Sequence, residues 1–280
     1  MSRVVAVHGI AQQRKGPDTV AAEWLPAMRD GMTLAGHVAI PAGDLAVAFY
    51  GDLFRPVGQR SLDPYYEAAD VSEEEERQLL DLWWREAAAT DSQVVSPDAE
   101  TRLRTPNVVQ TALNALSNSR FFSGLAERAL IFDLKQVRDY FRAPIIRQHA
   151  RARVEQAVTA STRVLVGHSL GSVVAWEAAC AHPEWNLQGL ITLGSPLGIR
   201  NLIFHKLDPA PVDGRGAWPG SVKYWVNVSD RGDVVALVRN LSQCFDARVE
   251  DRVVDNGATA HDARPYLTSR ESGEAIARGL

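Results

Sequence analysis

The chain has 280 residues, a formal net charge of −4 and a hydrophobic fraction of 46%, enough apolar material for a core that needs no disulfide staples. Arg and Lys are spread along the sequence, which argues against a binder that works by neutralising nucleic-acid phosphates. Cys180 and Cys244 are the only cysteines, supporting neither a disulfide framework nor a metal cluster.

No apolar run approaches the roughly 18–20 residues needed to span a bilayer. The N-terminal stretch Val4–Val7 is too short for the core of a signal peptide, so the expected location is cytoplasmic. Asn227-Val228-Ser229 and Asn240-Leu241-Ser242 match the glycosylation pattern, but without a secretory signal they read as chance matches.

In chain order, Val4–His8 is a short β-branched run closed by Gly9, as expected of a buried parallel strand. Residues 18–35 repeat apolar groups at helical spacing, with Pro26 as a candidate bend. Leu45–Tyr50 reads as the second strand. A helix is expected over 147–160, a third strand over Arg163–Val166, and a helix over 170–181 stopped by Pro183. Leu190–Leu193, Val222–Val228 and Arg248–Val254 read as further strands, and 269–278 as a last helix. Strands alternating with helices predict an α/β fold of about six mostly parallel strands, covered on both faces, in one domain over 1–280.

Residues 52–145 break this rhythm. Ser72-Glu73-Glu74-Glu75 resembles a capping box opening a helix that runs through Trp83-Trp84 to about Ala89. Pro106 suits the first turn of another helix, and residues 125–142 have helical spacing. One crossover needs only one helix, so 52–145 reads as an α-helical insertion. It is either a bundle packed on the side or, as is common for long insertions, a cap over a site. Trp83 and Trp84 fit either a pocket wall or, more commonly for aromatics at such spacing, core.

The most informative stretch is Gly167-His168-Ser169-Leu170-Gly171, between a β-branched strand and a helix. A serine on a tight strand-to-helix turn projects its hydroxyl above the sheet, and the positions two before and two after it must be small. The helix that follows points its positive end at the same place. Together with Val7-His8-Gly9-Ile10, this motif resembles the α/β-hydrolase superfamily, in its lipase- and esterase-like members. The resemblance covers most of the chain outside 52–145, and it aligns the first strand here with the family's third. It implies a Ser169 nucleophile and an oxyanion hole built from the backbone N–H groups of Ile10 and Leu170, with His8 holding the loop and Gly9 supplying an unusual backbone conformation.

The family's order places an acid and then a histidine after the serine. His182, His205 and His261 follow Ser169. His182 sits before Pro183 at a helix end and suits a cap, and His205 lies in a Pro- and Gly-rich connection that could line a pocket. His261 follows the last strand, and His261-Asp262-Ala263-Arg264-Pro265-Tyr266 is similar to the histidine-to-tyrosine segment of lipase-like relatives, so His261 is the expected base. For the acid, Asp233 precedes an apolar Val-Val-Ala-Leu stretch that can pack it inward. Asp230 reads more as a turn residue, and it takes the role if the loop folds sharply at Gly232. Ser195, in Gly194-Ser195-Pro196-Leu197-Gly198, lacks the spacing of a second nucleophile and reads as structural.

The resemblance therefore implies hydrolysis of carboxylic esters, small-molecule or lipid, through an acyl-enzyme and without metal or organic cofactor. Amide or thioester cleavage on the same residues, or a catalytically silent binding module of this fold, remain the alternatives.

Overall fold

The computed structural model describes residues 2–55, 66–97, 103–119, 127–257 and 260–280. Six parallel strands form one sheet in the order β2-β1-β3-β4-β5-β6: β1 Val4–Val7, β2 Leu45–Ala48, β3 Val164–His168, β4 Gly189–Leu193, β5 Tyr224–Asp230 and β6 Glu250–Val254. Helices α1 Pro17–Leu34, α7 Ala263–Thr268 and α8 Arg270–Arg278 cover one face. Helices α2 Glu74–Thr90, α3 Pro106–Ser117, α4 Glu127–Arg142, α5 Pro144–Ala157 and α6 Leu170–Ala181 lie in the core of the other.

The period-2 alternation of the strands assigns the faces. Val4 and Ala6 pack with Trp24 and Met28 of α1, whereas Val5 and Val7 look the other way, into the core shared with Trp176 of α6. Because both faces are covered, β1 is apolar throughout and β3, β4 and β5 are largely so, and all residues of these four strands are buried.

Several element boundaries differ from those read in the sequence. The fifth strand starts two residues later and runs on to Asp230, and the sixth begins at Glu250. The capping box of α2 is Glu73 with Glu76, one residue beyond the pair expected, and the Glu73 N–H donates to Glu76 Oε2 at 3.4 Å. The helix expected over 147–160 is α5, Pro144–Ala157, and proline suits its first turn. Helix α1 runs through Pro26 without ending. Residues 125 and 126 of the helix expected over 125–142 lie outside the described residues.

Among the described residues between β2 and β3 the regular elements are all helical. Helices α2, α3 and α4 extend the apolar core under α5 and α6, with Trp83 1% and Trp84 3% exposed within it. Buried ion pairs add to this attachment. Glu177 of α6, fully buried, accepts from Tyr140 Oη of α4 at 2.7 Å and from Arg147 Nε of α5 at 2.9 Å. Glu76 of α2 meets Arg138 and Lys135 of α4 at 2.6 and 3.2 Å. Among the described residues, no helix is long and apolar enough to cross a membrane.

Candidate functional site

Parallel strands end on one edge, so the loops after β1, β3, β4, β5 and β6 converge there. At the end of β3 the chain turns straight into α6 through Ser169, whose φ of 53° and ψ of −130° are unusual for any residue but glycine. Such a conformation costs on the order of 1–3 kcal/mol and persists only where its surroundings impose it. Two glycines make the turn fit. A Cβ on Gly167 would lie 2.6 Å from Ser172 Cα, and one on Gly171 would collide with the carbonyl of His8 on β1's loop. The spacing therefore answers two separate contacts, one with the first turn of α6 and one with the neighbouring strand.

Ser169, His261 and Asp233 come together although 92 and 28 residues separate the bonded pairs. Ser169 Oγ lies 3.0 Å from His261 Nε2, and His261 Nδ1 lies 2.8 Å from Asp233 Oδ2. An ionised carboxylate only accepts, so Nδ1 carries hydrogen and Nε2 is left to accept from the serine hydroxyl. Asp233 is fully buried and well partnered. Its Oδ2 also accepts from Tyr266 Oη at 2.7 Å, and its Oδ1 from the N–H groups of Val235 and Ala236 at 2.8 and 3.3 Å.

The electrostatics match this arrangement. Burial alone would raise the Asp233 carboxyl, but the charge and hydrogen bond of His261, with the Tyr266 and Val235 bonds, hold it below the usual range. Burial likewise opposes charging of His261, and the Asp233 charge and hydrogen bond outweigh it, so the imidazole titrates above its ordinary value. The backbone of His261 is held as well. His168 Nε2 donates to the His261 carbonyl at 2.9 Å, and burial pushes the His168 imidazole down to about 3, so it stays neutral.

The loop after β1 lies against the serine. His8 is buried and neutral: Tyr50 N–H donates to its Nε2 at 3.1 Å, and its Nδ1–H donates to the Gly9 carbonyl at 2.7 Å. Tyr50 stacks on the ring at 4.3 Å and donates to the His8 carbonyl at 2.7 Å. Burial takes the His8 pKa down to about 4. Gly9 has a different role from the one expected. Its backbone is not left-handed, and the reason for glycine is proximity, since a Cβ there would sit 2.7 Å from Ser169 Cβ. The left-handed residue is Ala11, with φ of 63°. Ile10, between them, is half-buried, and Leu170 is the first residue of α6, where a backbone N–H has no partner within the helix.

No family model, curated protein or solved structure matches the chain. A hydroxyl bonded to a neutral imidazole, itself held by a buried carboxylate, can pass its proton to the ring and become a nucleophile. Among the described residues, no group of three or more His, Cys, Asp or Glu side chains is placed to hold a metal ion.

No side chain of the other sequence candidates bonds to the side chains of Ser169, His261 or Asp233. Asp230 accepts from Gly232 N–H at 2.6 Å and from Asn256 N–H, and Asp233 is the aspartate bonded to His261. His182 ends α6, bonded to Glu184 and stacked on Trp185, and His205 is exposed beside Phe204. Ser195 Oγ pairs with Ser172 Oγ at 2.6 Å and takes the Leu197 N–H at 3.3 Å.

Three residues at the site escaped the sequence reading. His168 occupies the variable position of the serine motif. Gly194 has a φ of +53° and faces Asp233. Asp133 is a buried carboxyl on α4, among whose buried residues are also Lys135 and Gln136, and its charge reaches His261.

Proposed function

We propose that the protein is a serine hydrolase of the α/β-hydrolase type that cleaves carboxylic esters through an acyl-enzyme. One observation carries the reading: a serine in strained backbone at a strand-to-helix turn, joined through His261 to a fully buried Asp233. The sheet order and the loop of Gly9 packed against Ser169 agree with it.

In this reading His261 takes the hydroxyl proton as Ser169 Oγ attacks the ester carbonyl. The N–H groups of Leu170 and Ile10 hold the oxygen that becomes negative, a contribution of about 3–4 kcal/mol per donor in other enzymes. His261 then gives its proton to the departing alcohol, and water repeats the steps on the acyl-enzyme. Asp233 keeps the imidazole in the required tautomer and stabilises its charged form.

The test is labelling with a small fluorophosphonate, followed by an assay on short-chain chromogenic esters. Wild-type protein should label at Ser169 and turn over an ester, and Ser169→Ala should do neither. A folded wild-type protein that does not label is a silent module of the same fold.

A further inference from the structure

The peptide unit between Ser169 and Leu170 carries two tasks. In the proposed chemistry its N–H is one of the two that hold the oxyanion, and its C=O caps α6. A trans peptide is planar with its C=O and N–H pointing opposite ways, so whatever grips the carbonyl also aims the N–H. In α1, α2, α3, α5 and α8 the residue before the helix accepts from the N–H four residues on: Gly16 from Val20, Glu73 from Arg77, Thr105 from Val109, Ala143 from Arg147 and Ser269 from Gly273. Ser169 differs. Its carbonyl accepts from the Ser172 N–H, three residues on, at 2.9 Å and from the Ser172 hydroxyl at 2.6 Å.

The hydroxyl of Ser172 does not act alone. A carbonyl has no hydrogen to give, so Ser172 uses its one hydroxyl hydrogen on Ser169 and can only accept from Ser195 Oγ, 2.6 Å away. Ser195 in turn accepts from the Leu197 N–H at 3.3 Å. The direction is thus fixed along the whole row: Leu197 N–H to Ser195, Ser195 to Ser172, Ser172 to the Ser169 carbonyl. Ser172 and Ser195 are 0% and 2% exposed, and in such surroundings successive hydrogen bonds polarise one another. The same end of β4 holds the other side of the serine, since the Ser169 N–H donates to the Leu193 carbonyl at 2.9 Å. Residues 193–195 therefore grip, directly and through Ser172, both peptide units that flank Ser169, and hold the unusual φ and ψ between them.

We infer that Ser172 and Ser195 are positioning residues of the oxyanion hole: their hydroxyls hold and polarise the Ser169–Leu170 peptide so that the Leu170 N–H is aimed at the oxygen that becomes negative. The inference rests on the hydrolase reading and adds to it two residues that act through the backbone of Ser169. The Ser172 N–H still holds the carbonyl when the hydroxyl is gone. The loss should therefore be smaller than the 10²–10³ in kcat that follows removal of an oxyanion donor in other enzymes, roughly tenfold. An effect of this kind belongs to the transition state, where the oxygen is charged, and leaves binding of the ester itself alone.

The experiment uses the full-length protein and measures kcat and KM on p-nitrophenyl butyrate. It adds the inhibition constant of an alkyl trifluoromethyl ketone, whose adduct with the serine carries an oxyanion. Ser172→Ala should lower kcat about tenfold with KM nearly unchanged, and weaken the ketone by about the same factor. Ser195→Ala should lower kcat roughly threefold, because the bond from Ser172 to Ser169 remains. Ser195 acts only through the Ser172 hydroxyl, so the double variant should match Ser172→Ala within about twofold, whereas independent effects would multiply. The acid limb of the pH–rate profile should stay in place, because His261 keeps its bonds to Ser169 and Asp233. If Ser172→Ala does not fold, Ser195→Ala serves alone, read by kcat and ketone affinity falling together. Wild-type kcat in either single variant, losses that multiply, a shifted acid limb, or a fall in kcat that the ketone does not follow overturns the inference and leaves the hydrolase reading standing. Failure of wild type to label with the fluorophosphonate overturns both.

Discussion

The hydroxyl of Tyr266 joins the two aspartates that compete for one role in the sequence: it donates to Asp233 Oδ2 at 2.7 Å and accepts from the Asp230 N–H at 2.8 Å. Asp233 Oδ2 is also the oxygen that meets His261, so the tyrosine fixes the carboxylate's rotation. Tyr266→Phe removes both bonds inside a buried site and should cost about 1–3 kcal/mol of stability, read as a shift in urea midpoint. Turnover should fall by about tenfold, because the carboxylate keeps its two backbone donors, Val235 and Ala236, and remains in place.

Asparagine substitutions separate the roles of the aspartates. In a serine protease the corresponding change lowered turnover by about 10⁴ by presenting the histidine in the wrong tautomer. Asp233→Asn should therefore cost several orders of magnitude in kcat. Asp230→Asn should cost little activity and some stability, since its bonds go to the backbone of Gly232 and Asn256. The reverse ordering in steady-state kinetics would transfer the role to Asp230.

The pH dependence of activity follows from the shift on His261. Asp233 favours the imidazolium, so the ring titrates above 6.5, and only its neutral form accepts the serine proton. kcat/KM should rise with pH and reach half its maximum above 6.5. It should be lost as pH falls through the folded value. Asp133 adds to the same upward shift, so Asp133→Asn should move the limb to lower pH. A pH–rate profile of the two proteins measures it.

Stability should depend on pH with the opposite cause. His8 and His168 are buried neutral, with folded values of about 4 and about 3 against 6.5 for the free side chain. The unfolded chain binds protons that the folded one refuses, so their contribution is complete above 6.5 and is lost as pH falls toward the folded values. For His8 the difference amounts to roughly 3 kcal/mol. The urea midpoint should drop between pH 7 and pH 5, and less steeply in His8→Gln, which has no titrating group at that position.

The parts of the fold that were legible in the sequence are those where chemistry is local. Every strand lies within two residues of its expected bounds, because strands covered on both faces carry apolar runs, although β6 has only Val253-Val254 of that kind. Gly167-His168-Ser169-Leu170-Gly171 marked the serine because two steric contacts of a tight turn are written into consecutive residues. What the sequence left hidden depends on distant pieces meeting. Gly9 was expected to supply an unusual backbone conformation and is a clearance for Ser169. Asp133 acts on His261 from a helix far away in the sequence, and His168 was hidden by occupying a position that the motif leaves open.

Gly194 offers a test of how tightly the site is packed. It follows β4, has a φ of +53°, and a Cβ there would lie 2.7 Å from Asp233 Oδ2, 3.1 Å from Tyr266 Cε2 and 3.4 Å from His261 Nδ1. Gly194→Ala therefore carries two costs. The left-handed backbone costs about 1–2 kcal/mol for any residue with a Cβ. The methyl must also displace the carboxylate, because the tyrosine and imidazole leave it no other space. Gly36 separates the two costs, since it has a φ of +83° and no atom within 4 Å of the added Cβ. Gly36→Ala should lower the thermal midpoint and leave ester turnover intact. Gly194→Ala should lower both, with kcat reduced more than tenfold, because a displacement of about 1 Å in a catalytic geometry costs about 10² in rate. Equal stability losses with turnover intact in both would show that the carboxylate can move aside without releasing His261.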